Sequence, residues 1–104
     1  MDEITYYLLD NEHNVVPTIN VHAWANFFRL PDRIVKQEYI EEVKISTVFL
    51  GIDHSCTGEG PPIVFETMIF GGEHDGYQDR CATWVEAEAM HAKAVALVNG
   101  GRNA

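Results

Sequence analysis

The sequence predicts an α+β fold: a mostly antiparallel sheet of about five to six strands with two helices, the C-terminal one packed on the sheet. Three observations carry this. The apolar runs STVFLGI (46–52) and IVFETMIF (63–70) flank a polar loop rich in Gly and Pro, the pattern of two strands joined by a connection. The N-terminal YYLLDNEHNVV places turn-forming residues between two apolar runs, which reads as a β-hairpin. The C-terminal TWVEAEAMHAKAVALVNGG carries both a start and a stop signal for a helix.

Element by element, residues 4–9 and 14–16 form the hairpin around Asp10-Asn11-Glu12-His13. In the next segment Val21, Trp24, Phe27 and Phe28 recur at helical spacing, with Asn20 as N-cap and Pro31 as the stop. Strands follow at 33–39, 42–52, 63–70 and 77–82, with Gly71-Gly72 closing the third. The last helix is expected over 84–98. Thr83 is its N-cap, Glu86 completes a capping box, and Asn99-Gly100-Gly101 ends it. Arg102 to Ala104 are expected to fray. No repeat, low-complexity segment or linker interrupts the chain, so residues 1–104 make one domain.

Sixteen acidic residues against seven basic ones give a net charge of −9. That argues against DNA or RNA as a partner, because neutralising phosphates takes clustered Lys and Arg. Arg29, Arg33 and Lys36 are the one basic grouping, and a solvated helix end accounts for them. No apolar stretch approaches the roughly 20 residues that span a bilayer, and the acidic start MDEITYYLLD, with no basic n-region, is not expected to act as a signal peptide. A cytoplasmic protein with no membrane partner is expected, with Cys56 and Cys81 as free thiols.

The strands 45–52 and 63–70 are apolar on both alternating sides: Ile45 and Phe49 against Val48 and Leu50, Phe65 and Ile69 against Val64, Met68 and Phe70. They are therefore expected to be central and covered on both faces. The last helix covers one through Trp84, Ala87, Ala94, Val95 and Val98. The helix around Trp24 leaves apolar area uncovered on the other. A homo-oligomer would bury it, and the alternative is that the hairpin folds over that face.

Glu66 sits within an apolar run. A half-buried carboxylate needs a partner, and Arg80 or His91 is expected to supply it. Such a pair is structural, or it positions Arg80 for an anionic ligand. Arg80 precedes the last helix, where backbone N–H groups and a bidentate guanidinium both suit phosphate. Trp84 either stacks on a purine or anchors the helix in the core. His91, on the helix's apolar stripe, is either a hydrogen-bonded core residue or a ligand contact. The run Asp53-His54-Ser55-Cys56 invites a nucleophilic reading, yet adjacent residues point different ways and do not make a triad. Asp53 and His54 are expected to cap a turn instead. Asp53, His54, His74, Asp75 and His91 lack metal-ligand spacing, so no metal and no cofactor is expected. Gly58-Glu59-Gly60-Pro61-Pro62 has no P-loop Lys and reads as a semi-rigid pocket wall.

The string STVFLGIDH…GPPIVFETMIF, followed by DGYQDR-x-x-TW-x-EAEA-x-H-x-x-x-V, resembles a recurring protein of bacteriophages and prophages. The YYLLD start and the AWANFF segment match as well, so the likeness spans nearly the whole chain. It also resembles the first Thoeris anti-defence family of phage sponge proteins. That resemblance implies a protein that binds a cyclised ADP-ribose signal, or a cyclic oligonucleotide in related sponges, and withholds it from the host effector without cleaving it. It places ligand at protomer interfaces, between the loop after the STVFLG strand and the start of the last helix. On this chain that means Asp53, His54, Ser55, Cys56, Pro61, Arg80, Trp84 and His91. Two departures stand out: Ser55-Cys56 replaces the usual Asn and aromatic, and Arg80 followed by Trp84 replaces a more arginine-rich stretch. A small nucleotide signal is the expected partner and an enzyme is not expected, since no nucleophile, base and oxyanion donor can be named together. The alternative is an acidic phage inhibitor that binds a host protein, its charge mimicking nucleic acid.

Overall fold

A computed structural model describes residues 5–55 and 58–100. The expectations for Cys56, for Gly101 as part of the helix stop, and for Arg102 to Ala104 fall outside the described residues. The observed class is α+β: six antiparallel strands in two sheets, with two helices. β1 (Tyr6–Leu9) and β2 (Val15–Thr18) form the hairpin. β3 (Ile34–Ile40), β4 (Val43–Phe49), β5 (Phe65–Phe70) and β6 (Gln78–Cys81) form an antiparallel meander in chain order.

Between the sheets lies α1 (Val21–Phe28), followed by a 3-10 turn at Pro31–Arg33. Asn20 is its N-cap, with the side-chain oxygen accepting from the His22 and Ala23 N–H groups. α2 (Trp84–Gly100) runs two residues beyond the expected end, because Asn99 and Gly100 remain helical. The strand 42–52 is shorter than expected: the ladder stops at Phe49, and Ile52 makes only an isolated bridge to Tyr6. The reason is Gly51. Its φ of +75° turns the chain out of the sheet, and its carbonyl accepts from the Tyr7 N–H (2.9 Å) and Trp24 Nε1–H (3.2 Å).

α2 lies on one face of the meander. Ile45, Thr47 and Phe49 of β4, with Phe65, Thr67 and Ile69 of β5, are buried beneath its Ala87, Met90, His91, Ala94 and Val98. The expectation that the helix around Trp24 covers the second face is corrected by this structure. Phe27 and Phe28 pack against Phe49, with ring centroids 5.8 and 6.3 Å away, so α1 lies on the same face as α2. Tyr7, Leu9 and Val15 of the hairpin join that cluster, so the hairpin is not over the second face either. The cause is geometric. Phe49 faces inward at the end of β4, and the turn at Gly51 brings the first sheet and α1 to it.

Candidate functional site

The start of α2 is held by the capping box read from the sequence. The Glu86 N–H donates to Thr83 Oγ1 (3.1 Å), and the Thr83 N–H and hydroxyl both donate to Glu86 Oε1 (3.1 Å each). This fixes Trp84 in the first turn, its ring edge-on to the buried Phe65 at 6.2 Å. The other face of the indole is met by the hairpin turn. Asp10 builds that turn: Oδ1 accepts from the Glu12 and Asn14 N–H groups, at 2.9 and 2.8 Å, and the His13 N–H donates to the Asp10 carbonyl. The Asn14 N–H bond, foremost among the turn's contacts, holds the Asp10 carboxyl below its ordinary range. His13 is thereby placed at φ +66°, uncommon for a residue with a side chain. Its imidazole lies flat on Trp84, centroids 3.7 Å apart and planes 6° from parallel.

Around this stack is a cleft of about 560 Å³. Tyr7, Val15 and Pro17 of the hairpin form one wall, Pro61 and Pro62 of the β4–β5 loop another, and Trp84 and Val85 the third. Its surroundings are apolar and aromatic, and among the described residues lining it none is Lys or Arg. The helix N-terminus adds little attraction for an anion, because the Glu86 carboxylate already accepts from the Ala82 and Thr83 N–H groups. The cleft thus suits a flat ring or an apolar segment, with polar recognition left to groups such as Asn14 and Thr83.

Of the expected site residues that are described, Pro61 and Trp84 line this cleft. Asp53 staples its own loop. Oδ1 accepts from the Ile63 N–H (2.8 Å) and Ser55 N–H (2.9 Å), and Oδ2 from the Ser55 hydroxyl (3.0 Å). These bonds, the one from Ile63 first, depress its carboxyl below the usual range. His54 is exposed, with Nδ1 2.8 Å from the Ile52 carbonyl. The turn-cap reading of Asp53 and His54 therefore describes what they do.

Within one chain Arg80 does not line the cleft beside Trp84. Its Nε–H donates to Glu66 Oε2 (3.0 Å), which also accepts from Gln78 Nε2 (2.5 Å). Glu66 is paired with Arg80 as expected, at 13% side-chain exposure, but on the sheet face away from α2. In consequence His91 cannot be its partner. His91 instead sits under α2 in a network that the sequence did not reveal. Its Nε2–H donates to Glu38 Oε1 (2.7 Å), Nδ1 lies 2.7 Å from Thr47 Oγ1, and Thr47 Oγ1 lies 2.5 Å from Thr67 Oγ1. The His91 bond is the main cause that lowers the Glu38 carboxyl. The order Thr–His–Glu resembles a nucleophile, base and orienting carboxylate, but both threonine hydroxyls are fully buried, shielded from substrate.

Cys81 is a free thiol that burial pushes up to about 11, so it is held as the unreactive thiol. Among the described residues no group of three or more His, Cys, Asp or Glu is arranged to hold a metal. No described helix is long and apolar enough to cross a membrane.

The missed residues, His13 and Tyr7 in the cleft, Thr47 and Thr67 in the core and the half-buried Glu38 beside His91, differ in legibility. Ile45-Thr47-Phe49 and Phe65-Thr67-Ile69 each put one hydroxyl amid inward-facing apolar residues, a readable hint of a buried polar contact. Nothing in the turn sequence marks His13 as the ring that meets Trp84. No protein-family model matches this chain, and neither a curated protein nor a solved structure matches it.

Proposed function

We propose that this protein is a non-catalytic, phage-encoded counter-defence protein that captures a small nucleotide-type immune signal, stacking the ligand's base in the Trp84 cleft. The observation that carries the reading is the His13–Trp84 stack: the indole already presents a flat face to a planar heteroaromatic ring, within walls of Pro and Tyr. A base entering beside or in place of His13 keeps that contact. The resemblance of the STVFLGIDH…GPPIVFETMIF string to phage sponge proteins supplies the class of ligand, a cyclised ADP-ribose or cyclic oligonucleotide, and the host cytoplasm as the place of action. Capture rather than turnover agrees with the chemistry of the cleft. Among the described lining residues the ionisable side chains are Glu12, His13 and Tyr7, and the His13 ring is engaged in the stack.

A second reading is favoured by one specific feature, the absence of Lys and Arg among the described lining residues. A host-protein segment, extended and apolar or cationic, would dock on Tyr7, Pro17, Pro61 and Trp84 much as proline-rich segments dock in aromatic grooves. One experiment separates the two. The pure protein is incubated with a panel of cyclic nucleotides, washed, and heated to release what it holds for identification by mass. Release of an intact nucleotide supports capture. If nothing in the panel is retained by folded protein, the host-protein reading replaces it.

A further inference from the structure

The face of the meander opposite α2 is organised in three rows across the strands. The first is Tyr39, Lys44 and Phe70; the second Gln37, Ser46, Met68 and Gln78; the third Ile34, Val48, Glu66 and Arg80. Tyr39 is 68% exposed and Phe70 45%. The polar groups are bonded sideways within the sheet: Gln37 Nε2 donates to Ser46 Oγ (2.8 Å), and Gln78 and Arg80 both donate to Glu66. Among the described residues no helix or hairpin strand lies over this face, since α1, α2 and the first sheet all pack on the other.

We infer that this face is covered by a second copy of the same chain, in a two-fold, sheet-on-sheet dimer. Two features of the face select a copy of itself over a foreign surface. The first is charge. Lys44, Arg80 and Glu66 give the face a net +1 on a chain of −9, so it is a place where two such acidic molecules can meet without strong repulsion. The second is self-complementarity. A two-fold axis along the middle row lays the first row of one copy over the third row of the other, β4 upon β4. Lys44 of each copy then lies over Val48, one strand away from the Glu66 carboxylate of the other copy. Phe70 lies over Glu66 with Arg80 on the adjoining strand, so that the guanidinium can rest on the ring. Four strands of up to seven residues span roughly 19 by 23 Å, about 440 Å² in projection, which is smaller than the roughly 800 Å² per partner of a standard interface and suits a weak dimer. The Trp84 cleft lies on the helical side, so both clefts of the dimer stay open.

Sedimentation equilibrium at tens of micromolar tests the proposal. Wild-type protein is expected at twice the 11.7 kDa of the chain. Phe70→Glu and Met68→Lys, each placing a charge in the covered face, reduce the mass to that of one chain while the far-ultraviolet circular dichroism stays native. Leu97→Glu, on the exposed side of α2, leaves the dimer intact. A folded wild-type monomer overturns the proposal and leaves a foreign protein as the occupant of the face. A dimer that survives both face variants, or that Leu97→Glu dissolves, places the interface elsewhere and overturns it equally. Nucleotide retention by a monomeric variant is a separate readout, so failure here is distinguishable from failure of the capture function.

Discussion

Thr47 Oγ1 stands 2.7 Å from His91 Nδ1 beneath α2, in a core where both residues are buried. The other ring nitrogen bonds Glu38 on β3, so one imidazole ties the last helix to two strands. Removing the ring leaves a hydroxyl and a carboxylate without it and opens a cavity. His91→Ala is expected to cost about 3 kcal/mol, read as a lowered urea midpoint at unchanged slope. A loss below about 1 kcal/mol, too small for a buried bond and cavity together, would show that the network relaxes or rehydrates freely.

Acid sensitivity follows from the same contacts. The Glu38 carboxyl is held below its ordinary 4.5 chiefly by His91, and the Asp53 carboxyl below 3.8 chiefly by the Ile63 N–H. A carboxyl whose folded value lies below its unfolded value binds fewer protons when folded. Its contribution is present in full above the unfolded value and lost as pH falls through the depressed folded one. The melting temperature is therefore expected to hold near pH 6 and fall steadily below about pH 4.5. In Glu38→Gln the decline is shallower than in wild type. Parallel curves for the two proteins would remove Glu38 from the explanation.

Of the described glycines, Gly51 has the least room for a side chain. An added Cβ at φ +75° would stand 2.5 Å from Phe28 Cε2 and 2.6 Å from Trp24 Nε1. Backbone strain and overpacking act together, so Gly51→Ala is expected to lose about 2–4 kcal/mol and to detach the hairpin from the meander. Hydrogen exchange at the Tyr7 amide, which bonds the Gly51 carbonyl, reports that detachment directly. Unchanged protection of Tyr7 would contradict it.

The legible and illegible parts of this fold divide along the range of the interactions. The Thr83–Glu86 box and the Asn20 cap rest on neighbours within three residues, and both appear where the sequence places them. Which face α2 covers is a non-local choice. With Ile45 and Phe49 on one side and Val48 and Leu50 on the other, either parity looked apolar enough to be covered. The choice is settled by inward packing at Phe49 and Phe65, and with it go Glu66 and Arg80 to the far face. The Glu38–His91 bond spans 53 residues and the His13–Trp84 stack joins an exposed turn to a helix start. Neither has a local signature. Pro61 and Trp84 line one cleft because each is placed by its own connection, a Pro-containing loop and a helix cap.

The proposed capture makes Trp84 the stacking platform for the ligand's base. Its most direct test is the dissociation constant of the retained nucleotide, measured by calorimetry for wild type, Trp84→Leu and Arg80→Ala. Leucine keeps apolar packing on Phe65 but removes the flat face, and loss of a base–aromatic stack is worth about 1–3 kcal/mol, or roughly 5- to 150-fold in affinity. That weakening is expected in Trp84→Leu, and near wild-type affinity in Arg80→Ala, whose guanidinium is on the opposite face. Wild-type affinity in a folded Trp84→Leu protein, with the loss appearing in Arg80→Ala instead, would contradict it.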